Sequence, residues 1–142
     1  MANSRNDLTQ SERFLKRAEE DLNAALVLQD GQLYRDVCYF SQQCMEKAIK
    51  AFLILKGKFQ VTHTPSATFL EEIKKTPGKW KDPLMEAHAK SKVLADYWIK
   101  TRYPDVEWRE YDEKEAQEAV DNAQSILETM QKFLKEEFGV KS

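Results

Sequence analysis

Residues 34–57 read YRDVCYFSQQCMEKAIKAFLILKG, and this stretch decides the fold. It contains no proline and no glycine before Gly57, and its apolar residues recur at the spacing of an α-helix. They cover a wide face rather than a narrow stripe, which predicts a central helix that packs against several neighbours and ends near Gly57. The face consists of Val37, Phe40, Cys44, Met45, Ala48, Ala51, Phe52 and Leu55.

Amphipathic segments on both sides of this stretch predict further helices. The first begins with the capping-box pattern Thr9-x-x-Glu12 and is interrupted at Gly31. A shorter helix is expected to follow the central one, because Thr64-Pro65 is a typical N-cap and first helical position.

A fourth helix is expected to begin at Asp82-Pro83, which repeats the same start signal, and to run to Arg102. A proline follows Tyr103 and disfavours helical backbone there, so the helix should stop near Arg102. Residues 103–111 show the weakest periodicity in the chain, which predicts an ordered or semi-ordered loop.

The last helix is expected between Asp112, which precedes Glu115 by three residues as in an acidic capping box, and Gly139. Only 4 glycines and 4 prolines occur in 142 residues, which favours helices over strands and turns. We therefore predict an all-α chain, an antiparallel up-and-down four-helix bundle with an additional short helix. It should form one domain over residues 1–142, with a core of about 9–138.

The charge balance and hydropathy exclude some classes of protein. Lys and Arg number 22 against 24 Asp and Glu, so the chain lacks the strong basic bias of many nucleic-acid binders, although a local basic patch remains compatible with it. No apolar stretch approaches the roughly 18 residues that would span a bilayer, and Met1–Arg13 has no apolar signal core. The sequence predicts a cytoplasmic protein with no membrane partner.

The cysteines and histidines do not form a recognisable metal motif. Cys38 and Cys44 are six residues apart, a spacing that fits buried, reduced core residues better than a redox pair or a zinc site. His88 should lie at the edge of the core, and His63 should either brace the short helix or contact a nucleotide. The four glycines are isolated, so there is no Gly-rich phosphate loop. We expect no metal and no cofactor.

A polar face is predicted on the central helix, opposite its apolar face. A solvated face with i,i+4 ion pairs is the simpler interpretation, since such pairs are common and stabilise a helix only slightly. An outward-facing tyrosine and isoleucine among the polar residues favour instead a partner surface or a groove. The polar residues are Gln43, Glu46, Lys47 and Lys50, and the two apolar neighbours are Tyr39 and Ile54.

Arg102 is expected at a helix end beside irregular backbone. A guanidinium there can bind phosphate or carboxylate through its planar fork. It can equally cap the last carbonyl groups and offset the negative end of the helix dipole. The residues alone leave both roles open.

Taken together, these motifs resemble those of the HEPN domain family, the higher eukaryote and prokaryote nucleotide-binding domain. The resemblance rests on Gln42-Gln43 and Glu46-Lys47-x-x-Lys50, then His63, Tyr97 and Arg102-Tyr103-Pro104, and it covers roughly residues 9–138. It implies an up-and-down helical bundle and a homodimer. It also implies a partner of the minimal nucleotidyltransferase class, as in toxin–antitoxin or defence pairs.

The resemblance also implies a test for nuclease activity. Family members that cleave RNA without a metal carry a histidine four to six residues beyond the arginine. Here those positions hold Glu107, Trp108 and Arg109. Histidine exchanges protons near neutral pH, and a glutamate does so only with a raised pKa. The chain therefore resembles the branch without the nuclease motif.

We therefore predict a nucleotide- or RNA-binding or regulatory module. The positive charge would come from Lys47, Lys50, Arg102 and His63, and stacking surfaces from Tyr97 and Tyr103. One alternative is a ribonuclease with a displaced active site, in which Glu107 or His63 replaces the missing histidine. Another is a structural, dimeric partner-binding bundle whose interface includes Tyr39, Ile54, Trp108 and Tyr111.

Overall fold

The computed structural model describes residues 4–59, 65–76 and 78–141, and this part of the chain contains helices and no strand. Six α-helices occur in the described residues, with a 3₁₀ turn between the third and the fourth. Their bounds are α1 Arg5–Asp30, α2 Tyr34–Leu55, α3 Ser66–Lys74, the 3₁₀ turn Gly78–Trp80, α4 Lys81–Leu94, α5 Tyr97–Lys100 and α6 Glu113–Phe138.

The four long helices α1, α2, α4 and α6 form an antiparallel bundle. Helix α2 packs along α1 and α6, α4 packs against α6, and the short α3 lies on α4. Three residues join α1 to α2, which is short enough to force the two helices antiparallel. The predicted fold class, a four-helix bundle with an additional short helix, is confirmed.

The first helix begins earlier than predicted. Ser4 is its N-cap, and the Ser4 hydroxyl accepts a hydrogen bond of 3.0 Å from the backbone N–H of Asp7. The expected start at Thr9-x-x-Glu12 is therefore wrong, because an earlier serine caps the helix and Thr9 lies inside it. The end near Gly31 is as predicted.

The fourth helix is interrupted before Arg102. Helix α4 ends at Leu94, and Asp96 has a ψ of −11°, far from the value of about −42° in a regular α-helix. One further turn, α5, then leads to Thr101, whose hydroxyl donates to the carbonyl of Tyr97. The prediction of one continuous helix is wrong at this point, whereas the irregular backbone predicted from residue 103 is observed.

Both predicted ends of the last helix are confirmed. The Asp112 carboxylate accepts a hydrogen bond of 2.8 Å from the N–H of Glu115, which caps α6. At the other end Gly139 has a φ of 72°, a conformation that costs glycine little, and its N–H donates to the carbonyl of Lys135.

The centre of the bundle is an aromatic cluster. The ring of Phe52 lies 5.3 Å from that of Phe69 and 5.6 Å from that of Phe133, so this residue of α2 joins α3 and α6. Cys38 and Cys44 are buried and unpaired, as predicted, and burial raises the pKa of each thiol to about 12. Because both thiols stay protonated, they behave as core residues.

Candidate functional site

Part of the polar face of α2 is buried, although a solvated face was the simpler interpretation of the sequence. Glu46 is 3% exposed and Lys50 is 9% exposed, and the Lys50 ammonium donates a hydrogen bond of 2.9 Å to Glu46. The ring centroid of Phe59 lies 6.0 Å from the nitrogen of Lys50. The interpretation as a solvated face is wrong for Glu46 and Lys50, because α1 packs against α2 and Phe59 lies over Lys50.

Gln43 and Lys47, the other two polar residues of this face of α2, also contact neighbouring side chains. The side-chain amide of Gln43 donates to Gln42 at 2.6 Å and to Glu46 at 3.2 Å. Lys47 forms an ion pair with Asp21 of α1. The expected i,i+4 pairing of Lys47 with Gln43 and of Lys50 with Glu46 is present, and carboxylates on the same chain compensate both lysines.

Arg102 lies at the other end of α2. Its guanidinium is exposed and lies 5.8 Å from the ring centroid of Tyr39 and 5.7 Å from that of Tyr103, distances at which a cation is attracted to an aromatic face. Arg102 forms no hydrogen bond or ion pair with any residue that the structure describes. The result is an uncompensated cation held between two aromatic rings.

The lysines of α2 are distant from this arginine along the helix. Lys47 lies eight residues beyond Tyr39, which corresponds to about 12 Å, and Lys50 lies about 16 Å beyond it. Ile54 is farther still, at about 22 Å, where it borders a groove with Phe14 and Phe59. The structure therefore brings Tyr39, Arg102 and Tyr103 together and separates them from the other residues predicted on α2.

A cleft of about 260 Å³ opens beside Arg102. One wall is the turn between α1 and α2 together with the start of α2, and the other is the segment from the end of α5 to the start of α6. Its charged lining residues are Arg35, Asp36, Lys100, Glu107, Arg109 and Glu110, and Trp108 stands at its rim.

Arg109 links the loop between α5 and α6 to the first turn of α6. Its guanidinium donates two hydrogen bonds to Glu115, at 2.6 and 2.7 Å, and one of 2.7 Å to Glu107. Glu115 also accepts a hydrogen bond of 2.7 Å from the hydroxyl of Tyr97. We call these four residues the clasp.

Tyr97, a member of the clasp, and Tyr111, which contacts it, do not present their rings to solvent as stacking surfaces. Desolvation raises the pKa of Tyr97, and its hydroxyl is committed to Glu115. Tyr111 is only 8% exposed, and the Arg109 guanidinium lies 3.9 Å from its ring centroid. Tyr111, one of the interface residues predicted for the structural alternative, therefore has its ring covered by Arg109 within the chain. Trp108, in contrast, is 82% exposed.

A sequence model of the HEPN domain matches residues 11–134, most of the chain. The chain belongs to the HEPN family. A relative from Methanocaldococcus jannaschii, which bears the name "Putative toxin MJ1304", is 39% identical over 137 residues that make up 90% of each chain.

Two solved structures share the HEPN fold of this chain. TT1696 from Thermus thermophilus has a TM-score of 0.69 and 27% sequence identity, over 87% of this chain and 97% of that one. ST0689, described as an archaeal HEPN homologue, has a TM-score of 0.69 and 28% identity, over 89% of this chain and 98% of that one.

The residue in the place of the missing nuclease histidine is poorly suited to exchange protons. Glu107 accepts hydrogen bonds from Arg109 and from the hydroxyl of Tyr111, and these contacts hold the pKa of its carboxyl below the ordinary value. A general acid needs the opposite shift. His63, the other residue considered for this role, lies outside the residues that the structure describes.

Other features of this HEPN domain concern metals and membranes. His88 is buried against Phe69 in the core, and desolvation lowers the pKa of its imidazole. No group of three His, Cys, Asp or Glu side chains that could hold a metal ion occurs among the described residues. Within the same residues, no helix is both long and apolar enough to cross a bilayer.

The sequence did not reveal Arg35, Asp36 and Glu115 as residues of this region. Arg35 and Asp36 line the cleft together with residues of the loop after α5, an arrangement that exists only once that loop has folded back onto α2. Glu115 was identified as a capping residue, and its second role with Arg109 depends on the tertiary structure.

The clasp predicts a pH dependence of stability. Hydrogen bonds from Arg109 lower the pKa of the Glu115 carboxyl below its ordinary value of 4.5, so this contribution is present above that value and is lost as the pH falls through the lower folded-state pKa. Replacing Arg109 with methionine is expected to cost about 1 kcal/mol at neutral pH, since the pair is partly exposed, and less in acid. The check is urea unfolding of both proteins between about pH 7 and pH 3; parallel curves would contradict it.

Proposed function

We propose that this HEPN domain binds a nucleotide or a single-stranded RNA at the end of the bundle that carries Arg102. The observation that supports this proposal most directly is the exposed guanidinium of Arg102 between Tyr39 and Tyr103, with no acidic partner among the described residues. Arginine recognises phosphate through two parallel hydrogen bonds, and an arginine already paired to a carboxylate would have to break that pair first.

Aromatic side chains around the arginine supply surfaces for bases. Tyr103 is 43% exposed and Trp108 is 82% exposed, so both rings are accessible at the same end of the bundle. Base stacking contributes about 1 to 3 kcal/mol for each base and tolerates any sequence. One phosphate contact and a few stacking surfaces would give modest affinity with a weak dependence on salt.

The biological role that we propose is that of the toxin-like member of a two-protein system. The relative from Methanocaldococcus jannaschii carries the name of a toxin, and its alignment covers 90% of both chains. In this proposal the domain forms a homodimer and has a protein partner of the minimal nucleotidyltransferase class. That partner would control the toxin by covering or modifying the Arg102 end.

Replacing Arg102 with alanine is expected to abolish this function and leave the fold intact. A ligand at 100 times its dissociation constant stabilises a fold by about 2.7 kcal/mol, so a panel of nucleotides and short RNAs should raise the melting temperature of the wild type. Arg102→Ala should lose that shift. Expression of the wild type should slow the growth of a host cell, and expression of Arg102→Ala should not.

The matched control is Arg13→Ala, which removes an exposed arginine from α1. It should leave binding unchanged, because nonspecific loss of one positive charge has little effect on a site elsewhere. The integrity of the RNA is followed in the same tubes. Arg102-dependent cleavage would favour the displaced-nuclease alternative. The absence of any shift with any ligand would contradict the proposal and favour a structural bundle that binds only proteins.

A further inference from the structure

We infer that the cleft beside Arg102 is a base-recognition subsite, in which Asp36 selects a base with an amino group and Trp108 stacks on it. This inference rests on the proposed function, since it names what the cleft adds to the phosphate site. It concerns Asp36, which the sequence did not single out, and it gives Trp108 a role other than the predicted protein interface. The preferred base is guanine, because its edge presents two neighbouring N–H donors to one carboxylate.

The charge of the cleft argues against a second phosphate. Its lining contains three cationic and three anionic side chains, so the described walls are neutral overall. Glu107 and Glu115 also hold Arg109 by hydrogen bonds, which leaves little of its charge for a ligand. A neutral, polar, flat group fits such a lining better than an anion does.

Asp36 is the residue in the cleft that is best placed to read a base. It is half-buried in the first turn of α2, lines the cleft, and forms no hydrogen bond or ion pair with any described residue. A carboxylate accepts hydrogen bonds and cannot donate them, so it favours a base edge that carries amino or imino hydrogens. A partly desolvated acceptor left without a donor costs free energy, which is the source of discrimination.

The position of the cleft matches the spacing of one nucleotide. Arg35 lines the cleft and lies about 6 Å before Tyr39 along α2. The ring of Tyr39 lies 5.8 Å from the Arg102 guanidinium, and Thr101, the neighbour of Arg102 in the chain, also lines the cleft. Trp108 stands at the rim with most of its ring exposed. A phosphate on Arg102 therefore leaves its base within reach of the cleft.

The test compares three hexaribonucleotides that are uridine except for one central guanosine, inosine or adenosine. Inosine differs from guanosine only in lacking the 2-amino group. The wild type is expected to bind the guanosine RNA about tenfold more tightly than the inosine RNA, as measured by fluorescence anisotropy. Asp36→Asn should reduce this preference to about twofold or less, because an amide offers the base a donor where an acceptor is needed.

Three further variants separate base recognition from the effects of charge and of stacking. Asp30→Asn removes one carboxylate at the exposed end of α1 and should keep the guanosine preference. Trp108→Ala should weaken the binding of all three RNAs by about fivefold or more, and Trp108→Phe should restore most of the lost affinity. Since Trp108 is 82% exposed, its replacement should not disturb folding.

The outcomes distinguish this inference from the proposed function. If the wild type binds all three RNAs equally and Arg102→Ala abolishes binding, the phosphate site stands and the base subsite is wrong. Asp36→Asn variants that bind every RNA more tightly by the same factor would show that the carboxylate acts only by repelling phosphate. If no RNA binds the wild type, both proposals fail. Should Asp36→Asn fail to fold, the guanosine–inosine comparison in the wild type still decides.

Discussion

Replacing Phe52 with alanine is expected to destabilise the protein by about 3 to 5 kcal/mol. The side chain is fully buried, and it contacts Phe69 of α3 and Phe133 of α6. Truncation leaves a cavity where three helices meet, and it also removes two aromatic contacts. Since the free energy of unfolding of most domains is about 5 to 15 kcal/mol, this single change should remove a large part of it. The measurement is guanidinium chloride unfolding followed by circular dichroism.

A matched control is Val27→Ala on the exposed side of α1. Val27 is 71% exposed, so its truncation should change the free energy of unfolding by no more than about 0.5 kcal/mol. Phe52→Leu should lie between the two, since leucine refills part of the cavity. A loss below about 1 kcal/mol for Phe52→Ala would show that the aromatic cluster is not the centre of the core.

The fold could be predicted from the sequence because its signals are local and repeated. The wide apolar face of α2 predicted a central helix, and the structure buries nearly all of that face. The cap of α6 at Asp112 and its end at Gly139 were read from residue types whose backbone preferences are strong. The prediction of a helix boundary failed where a second capping residue lay nearby, as at Ser4, which caps α1 ahead of Thr9.

The candidate site was predicted less completely, because a helical wheel shows directions and not neighbours. Glu46 and Lys50 lie opposite the apolar face on such a wheel, yet packing of α1 and Phe59 buries them. Their i,i+4 pairing was predictable, but their burial depended on how the chain folds after α2. The charged face that looked like a ligand surface is thus occupied by the protein's own contacts.

Arg102 shows the opposite outcome. Its position at a helix end was predicted from the proline that follows Tyr103, and its exposure is observed. Its contact with Tyr39 could not be predicted, because the two residues are far apart in the sequence and meet only when the loop after α5 folds over the start of α2. The cleft with Asp36 depends on the same tertiary arrangement.

Replacing Lys50 with methionine is expected to destabilise the protein by about 3 to 5 kcal/mol, because it removes the buried cation that is paired with the buried Glu46 carboxylate. The side chains of Lys50 and Glu46 are 11% and 4% exposed, so water cannot replace the lost charge without opening the packing. Gln43 donates a hydrogen bond of 3.2 Å to Glu46 in both proteins, and this neutral amide does not substitute for the charge of the lysine. The measurement is again the free energy of unfolding.

The double variant Glu46→Leu with Lys50→Met tests whether the ion pair stabilises the fold relative to apolar side chains of similar volume. The other possibility is that only the loss of one partner is destabilising. Removing both charges and keeping the volume should recover most of the loss, since buried ion pairs are often no more stable than apolar replacements. Gln43 would keep its hydrogen bond to Gln42. A double variant as unstable as Lys50→Met would show instead that Glu46 is needed in itself. Arg17→Met is the control, because its pair with Glu20 is 66% and 55% exposed and should contribute no more than about 1 kcal/mol.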